Sequence, residues 1–120
     1  MKEKIIQIVR ENYSEPDFNV NKLSEILTVC RAYLYRCTIK HFDCSPHELI
    51  DNFRIKKALE LLSNGEKIIY TAIKTGFVNG YNLRRAFKKR MGITPSDFKE
   101  KCDNAENIED VLYYFMNSLK

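Results

Sequence analysis

Apolar residues recur at three- and four-residue spacings along most of the chain. Ile5, Ile6, Val9 and Tyr13 do so near the start, Leu49, Ile50, Phe53, Ala58, Leu61 and Leu62 in the middle, and Ile108, Val111, Leu112, Phe115 and Leu119 near the end. That period lays one apolar stripe along a helix, so each stretch is predicted helical. Ser45 Pro46 His47 Glu48 supplies a capping hydroxyl, a proline at the first helical position and a carboxylate at the third, and Thr94 Pro95 Ser96 Asp97 is a close copy. Both arrangements satisfy the orphan N–H groups of a helix start. The first helix is expected to end before Pro16. The longest runs from Pro46 to Ser63, where Asn64 and Gly65 stop it, about 17 residues or roughly 26 Å. Ile68 to Ile73 is β-branched enough for a strand, but propensity is weak evidence, and an internal repeat assigns it to a helix.

The repeat appears when the chain is slid against itself by 48 and then 49 residues: Leu27, Thr28 and Val29 fall on Thr75, Gly76 and Phe77, while Leu34, Arg36, Lys40 and Pro46 fall on Leu83, Arg85, Lys89 and Pro95. The change of offset lies where a turn can absorb an insertion. Each copy reads as helix, short turn and second helix, the pattern in which the second helix enters a DNA major groove. In the second copy Leu83, Ala86 and Phe87 share one face, and Tyr81, Arg84, Arg85 and Lys88 the other. In the first, Leu34, Cys37 and Thr38 point inward and Arg31, Ala32, Tyr35, Arg36 and Ile39 outward. Guanidinium groups can donate two parallel hydrogen bonds to guanine, so Arg36, Arg84 and Arg85 are the strongest base-reading candidates. Arg31, Ala32, Tyr35, Asn79, Gly80 and Tyr81 complete that set, and Lys40, Lys88, Lys89 and Arg90 are assigned to phosphates.

Composition narrows the class. With 120 residues, 4 Gly and 3 Pro, the chain suits one domain or two small lobes and offers few tight turns for an all-β fold. Twelve basic and 4 acidic side chains fall within residues 54–101, against 7 and 8 before and 1 and 4 after. Such concentration is the footprint of a surface for polyanions, the plain alternative being a solvated helix face. Apolar runs are far too short to span a membrane and the start lacks a signal-peptide core, so a cytoplasmic setting is expected. Cys37, His41, Cys44 and His47 raise the question of zinc. Their repeat counterparts, Ala86, Arg90, Ile93 and Ser96, instead imply interior cysteines and surface histidines. His47 Glu48 Leu49 Ile50 Asp51 approaches the zinc-protease motif but carries Asp where the second His is required. No catalytic grouping or cofactor fingerprint is found, so a non-enzymatic role without cofactor is expected.

Gly76 Phe77, Tyr81, Leu83, Arg85, Phe87 Lys88 Lys89, Gly92 and Thr94 Pro95 Ser96, together with Tyr33 Leu34, Arg36, Ser45 Pro46, Arg54, Ala58 and Leu61 Leu62, resemble the AraC/XylS family of bacterial transcription regulators. The resemblance implies an all-α domain over 1–101: a first homeodomain-like lobe (1–45), a linker helix (46–63) and a second lobe (64–101), with 102–120 an additional C-terminal amphipathic helix. It implies promoter DNA and RNA polymerase as partners. Larger members carry an N-terminal sensor domain, so the chain is either a piece of such a regulator or similar to the small stand-alone members. Thr38, Ile39 and Asp43 stand where the second copy has Phe87, Lys88 and Gly92, and Cys30 stands where the family has serine; Thr for Phe predicts a softer first lobe. The competing reading is a helical protein-interaction module or anti-activator with an incidental basic face.

Overall fold

In the computed structural model, which describes residues 1–117, the chain forms helices α1 (Lys2–Asn12), α2 (Val20–Leu27), α3 (Arg31–Phe42), α4 (Pro46–Ser63), α5 (Ile68–Lys74), α6 (Gly80–Met91), α7 (Pro95–Asn104) and α8 (Ile108–Met116), with no strand among those residues. Both expected capping boxes form. Ser45 Oγ accepts the Glu48 N–H while Glu48 accepts the Ser45 N–H, each at 3.2 Å, and Thr94 and Asp97 exchange the same pair of bonds. The β-branched run at 68–73 is helical, as α5.

Two apolar cores share α4. Its first turns contribute Leu49 and Ile50 to a cluster with Ile5, Val9, Leu23 and Leu34, and its later turns contribute Ile55, Ala58, Leu59 and Leu62 to one built around Leu83, Phe87 and Phe98. The helix is 18 residues, roughly 27 Å. It is therefore less a connector than a spine, buried on different sides at its two ends. That twist in its buried side explains why no single apolar stripe runs its whole length.

The lobes also touch directly. Arg54, buried on α4, donates from Nε to the Tyr13 carbonyl at 2.8 Å and from Nη2 to the carbonyls of Glu15 and Phe18 at 3.2 and 3.0 Å. Its guanidinium lies 5.9 Å from the centre of the Phe77 ring. Burial pulls its pKa down, and the nearby Asp51 carboxylate opposes that shift. Gly76 backs onto the same loop at φ +91, and a Cβ there would sit 2.3 Å from the Tyr13 carbonyl oxygen.

Backbone geometry repeats along with the sequence. Thr28 and its counterpart Gly76 both take positive φ, at 59° and 91°, as do Asp43 and its counterpart Gly92, at 57° and 79°. The first copy thus makes both left-handed turns without glycine, at a steric cost of about 1–2 kcal/mol per turn. The connection from α2 to α3 spans residues 28–30, whereas that from α5 to α6 spans 75–79, which is where the offset changes. Buried hydroxyls are satisfied locally: Thr38 donates to the Tyr35 carbonyl, Thr71 to that of Lys67 and Thr75 to that of Thr71.

Helix α8 docks on its own domain. Phe115 is buried edge-on against Phe98, with ring centres 5.3 Å apart, and Val111, Leu112 and Met116 pack around it. Leu119, expected on the same stripe, lies outside the described residues.

Candidate nucleic-acid interface

Each repeat presents its second helix outward. On α3, Leu34, Cys37 and Thr38 are buried and Arg31, Ala32, Tyr35, Arg36 and Lys40 exposed; on α6, Leu83 and Phe87 are buried and Tyr81, Arg84, Arg85, Lys88 and Lys89 exposed. The division follows the helical period, because the inward residues of each helix supply its lobe's core.

Two arginines at equivalent positions rest on tyrosine rings. The Arg36 guanidinium lies 5.9 Å from the Tyr33 ring centre, and that of Arg85 lies 5.8 Å from that of Tyr81. Stacking of this kind limits the freedom of a long side chain. Tyr33 was not among the sequence candidates as a base reader; its place one turn before Arg36 is the signal that would have suggested a platform.

Asn79 and Gly80 begin α6. Asn79 is the N-cap, its Oδ1 accepting the Asn82 N–H at 2.9 Å, so one polar end of that side chain serves the helix. Cys30, at the same place in the first copy, makes no side-chain cap bond.

Arg90, assigned to phosphate, is held by the protein itself. Its Nε donates to Asn52 Oδ1 at 2.8 Å and its Nη2 lies 3.5 Å from Asp51 Oδ2, with the side chain only 12% exposed. It fastens α6 to the spine. An arginine after two lysines reads as surface charge in sequence, and only the fold brings Asn52 and Asp51 against it.

A cleft of about 700 Å³ opens between the lobes, lined by Arg84, Arg85, Lys88 and Lys89 of α6, by His47, Asp51 and Arg54 of α4, and by Pro16. A second of about 420 Å³ lies beside α3 and is lined by Arg31, Ala32 and Tyr35, again with His47. Basic side chains thus outnumber acidic ones in the larger cleft, and His47 is common to the two. Asp51 is the acid in the larger cleft; of Glu48, close to Arg90 and Lys89, the Ser45 N–H, then its hydroxyl, holds the carboxyl below the usual carboxylate range, with those two charges adding.

The zinc constellation does not assemble. Cys37 and Cys44 are buried while His41 and His47 are exposed, and no group of three or more His, Cys, Asp or Glu among the described residues is placed to hold a metal ion. Burial pushes the Cys44 thiol up in pKa, as for an inert core cysteine. No described helix is long and apolar enough to cross a membrane.

A family model described as a helix-turn-helix domain matches residues 23–101. Over 96 residues the chain is 27% identical to the raffinose operon transcriptional regulatory protein RafR of Pediococcus pentosaceus, covering 79% of this chain and 34% of RafR. It therefore spans about a third of that relative's length. Among solved structures it is similar to the C-terminal domain of AraT, a response regulator from Geobacillus stearothermophilus, at 28% identity and a TM-score of 0.77, covering 82% of this chain and 83% of that one. It is also similar to the C-terminal domain of the two-component response regulator yesN from Fusobacterium nucleatum, at 30% identity and a TM-score of 0.77, covering 82% and 96%.

Proposed function

The chain belongs to the AraC-type helix-turn-helix regulators, and on that premise we propose that it regulates transcription by binding a specific duplex site, with α3 and α6 in successive major grooves. The observation that carries this reading is the pair of matching arginines, Arg36 and Arg85, each resting on a tyrosine of its own exposed helix, Tyr33 three residues before the one and Tyr81 four before the other. A molecule 46 Å in its longest dimension has room to reach two grooves about 34 Å apart. Arg36, Arg84 and Arg85 read base edges, with Arg31, Ala32, Tyr35, Asn79, Gly80 and Tyr81 beside them, and Lys40, Lys88 and Lys89 hold phosphates. The proposal extends to a contact with RNA polymerase at a promoter in the cytoplasm.

Selection of bound duplexes from a random pool, followed by titration of the winner, tests the proposal. Affinity is expected to fall about 10³-fold or more between ~50 and ~200 mM salt if some six phosphates are engaged. Arg85→Ala is expected to weaken the selected duplex by ~1–3 kcal/mol and to relax preference at one base pair, whereas Lys89→Ala weakens every sequence alike and lowers the salt slope by about 1. If neither variant differs from the parent, the assigned roles are wrong. If no sequence is enriched, the protein-interaction reading takes their place.

A further inference from the structure

We propose that the surface between the two recognition helices is a seat for the DNA backbone and that His47 is its proton-dependent phosphate donor. The inference rests on the duplex-binding reading and adds to it a residue and a condition. His47 lines both clefts, the one beside Arg31 and Tyr35 of α3 and the one beside Arg85, Lys88 and Lys89 of α6, and its side chain is 76% exposed. A duplex offering consecutive major grooves to α3 and α6 presents between them its minor groove, only ~6 Å wide, and the sugar–phosphate strands that border it. His47 is the residue that the two clefts have in common.

The ring is oriented from below. His47 Nε2 lies 3.3 Å from Asp51 Oδ2 one helical turn on, an oxygen that also lies 3.5 Å from Arg90 Nη2. That carboxylate favours the tautomer with its proton on Nε2, which leaves Nδ1 as the nitrogen for a further partner. In the neutral ring Nδ1 carries a lone pair and repels a phosphate oxygen. On taking up a proton from solvent, Nδ1–H becomes a donor and the ring gains a positive charge. The charged groups that line the two clefts with it are Asp51 and Arg54 on α4, Arg84, Arg85, Lys88, Lys89 and Arg90 on α6, and Arg31 on α3, with Glu48 its neighbour along α4. The added charge is shared between Asp51 at Nε2 and the incoming phosphate at Nδ1, the nitrogen that Asp51 leaves free.

The test is binding of the full chain to a mixed-sequence duplex of a few helical turns, from about pH 5 to about pH 8, at several salt concentrations. The parent is expected to bind about threefold to tenfold more tightly at the acidic end, with a slope of log affinity against log salt steeper by ~0.9, the signature of one more phosphate contact. His47→Gln removes the difference, and His47→Lys holds the acidic affinity across the range. The chain has two histidines, so His41→Gln is the control and keeps the parent's response. The inference is overturned if His47→Gln retains the full pH response, if His41→Gln abolishes it, or if the parent binds duplex equally at both ends. A parent that binds no duplex at any pH overturns the proposed function itself.

Discussion

Arg54→Met is expected to lower the unfolding free energy by about 3 kcal/mol or more, because three backbone carbonyls lose one shared charged donor. The guanidinium donates to three backbone carbonyls in the segment between α1 and α2 and covers the Phe77 ring of the second lobe. Hydrogen bonds from a charged donor contribute about 1.5–3 kcal/mol each, and they are not additive when they share one donor group. Methionine keeps the apolar stem, so the loss isolates the guanidinium rather than the packing. Against a total stability of roughly 5–15 kcal/mol for a domain of this size, the variant should unfold at markedly lower urea concentration. Arg54→Lys should recover little, because an ammonium on a flexible stem does not match three fixed acceptors. A loss under about 1 kcal/mol in urea titrations, with an unchanged slope, would show that water replaces the guanidinium without penalty.

Gly76→Ala should be nearly as damaging, for a different reason. A Cβ at this position meets the Tyr13 carbonyl oxygen at 2.3 Å, the Ser14 carbonyl carbon at 3.2 Å and Arg54 Nε at 2.9 Å, and φ is +91. Two of those neighbours are backbone, so relief requires moving the lobes apart. The expected cost is about 3 kcal/mol or more, combining left-handed strain with a clash at the interface. Gly92→Ala is the comparison, since φ is +79 and no atom lies within 4 Å of its Cβ; it should lose only the backbone component, about 1–2 kcal/mol. Equal losses in the two variants, measured side by side in thermal and urea unfolding, would remove the interface from the explanation.

These two residues also mark the limit of what the sequence reveals. Helix starts were legible because their signals are local: Ser45 with Glu48, and Thr94 with Asp97, carry their partners three residues away. The exposed faces of α3 and α6 were legible because burial there follows the helical period. Arg90 was not, since its partners Asn52 and Asp51 lie 38 and 39 positions earlier. Arg54 could be noticed through the family resemblance, but nothing local says that it reaches Tyr13 or that Gly76 closes over it. The spine shows the same difficulty in its apolar pattern, because its two ends serve different cores.

On the proposed duplex-binding reading, the interlobe clamp bears on which operators the protein would use. With Arg54 bonded to one reading unit and stacked on the other, the protein behaves as a caliper of set gap rather than as two beads on a string. Inserting a single base pair between the halves of a bound site turns one half by about a tenth of a revolution relative to the other. A rigid caliper leaves the duplex to absorb that rotation by untwisting or bending, at an energetic cost that depends on the intervening steps. Sequence that no side chain touches would thereby enter the choice of target.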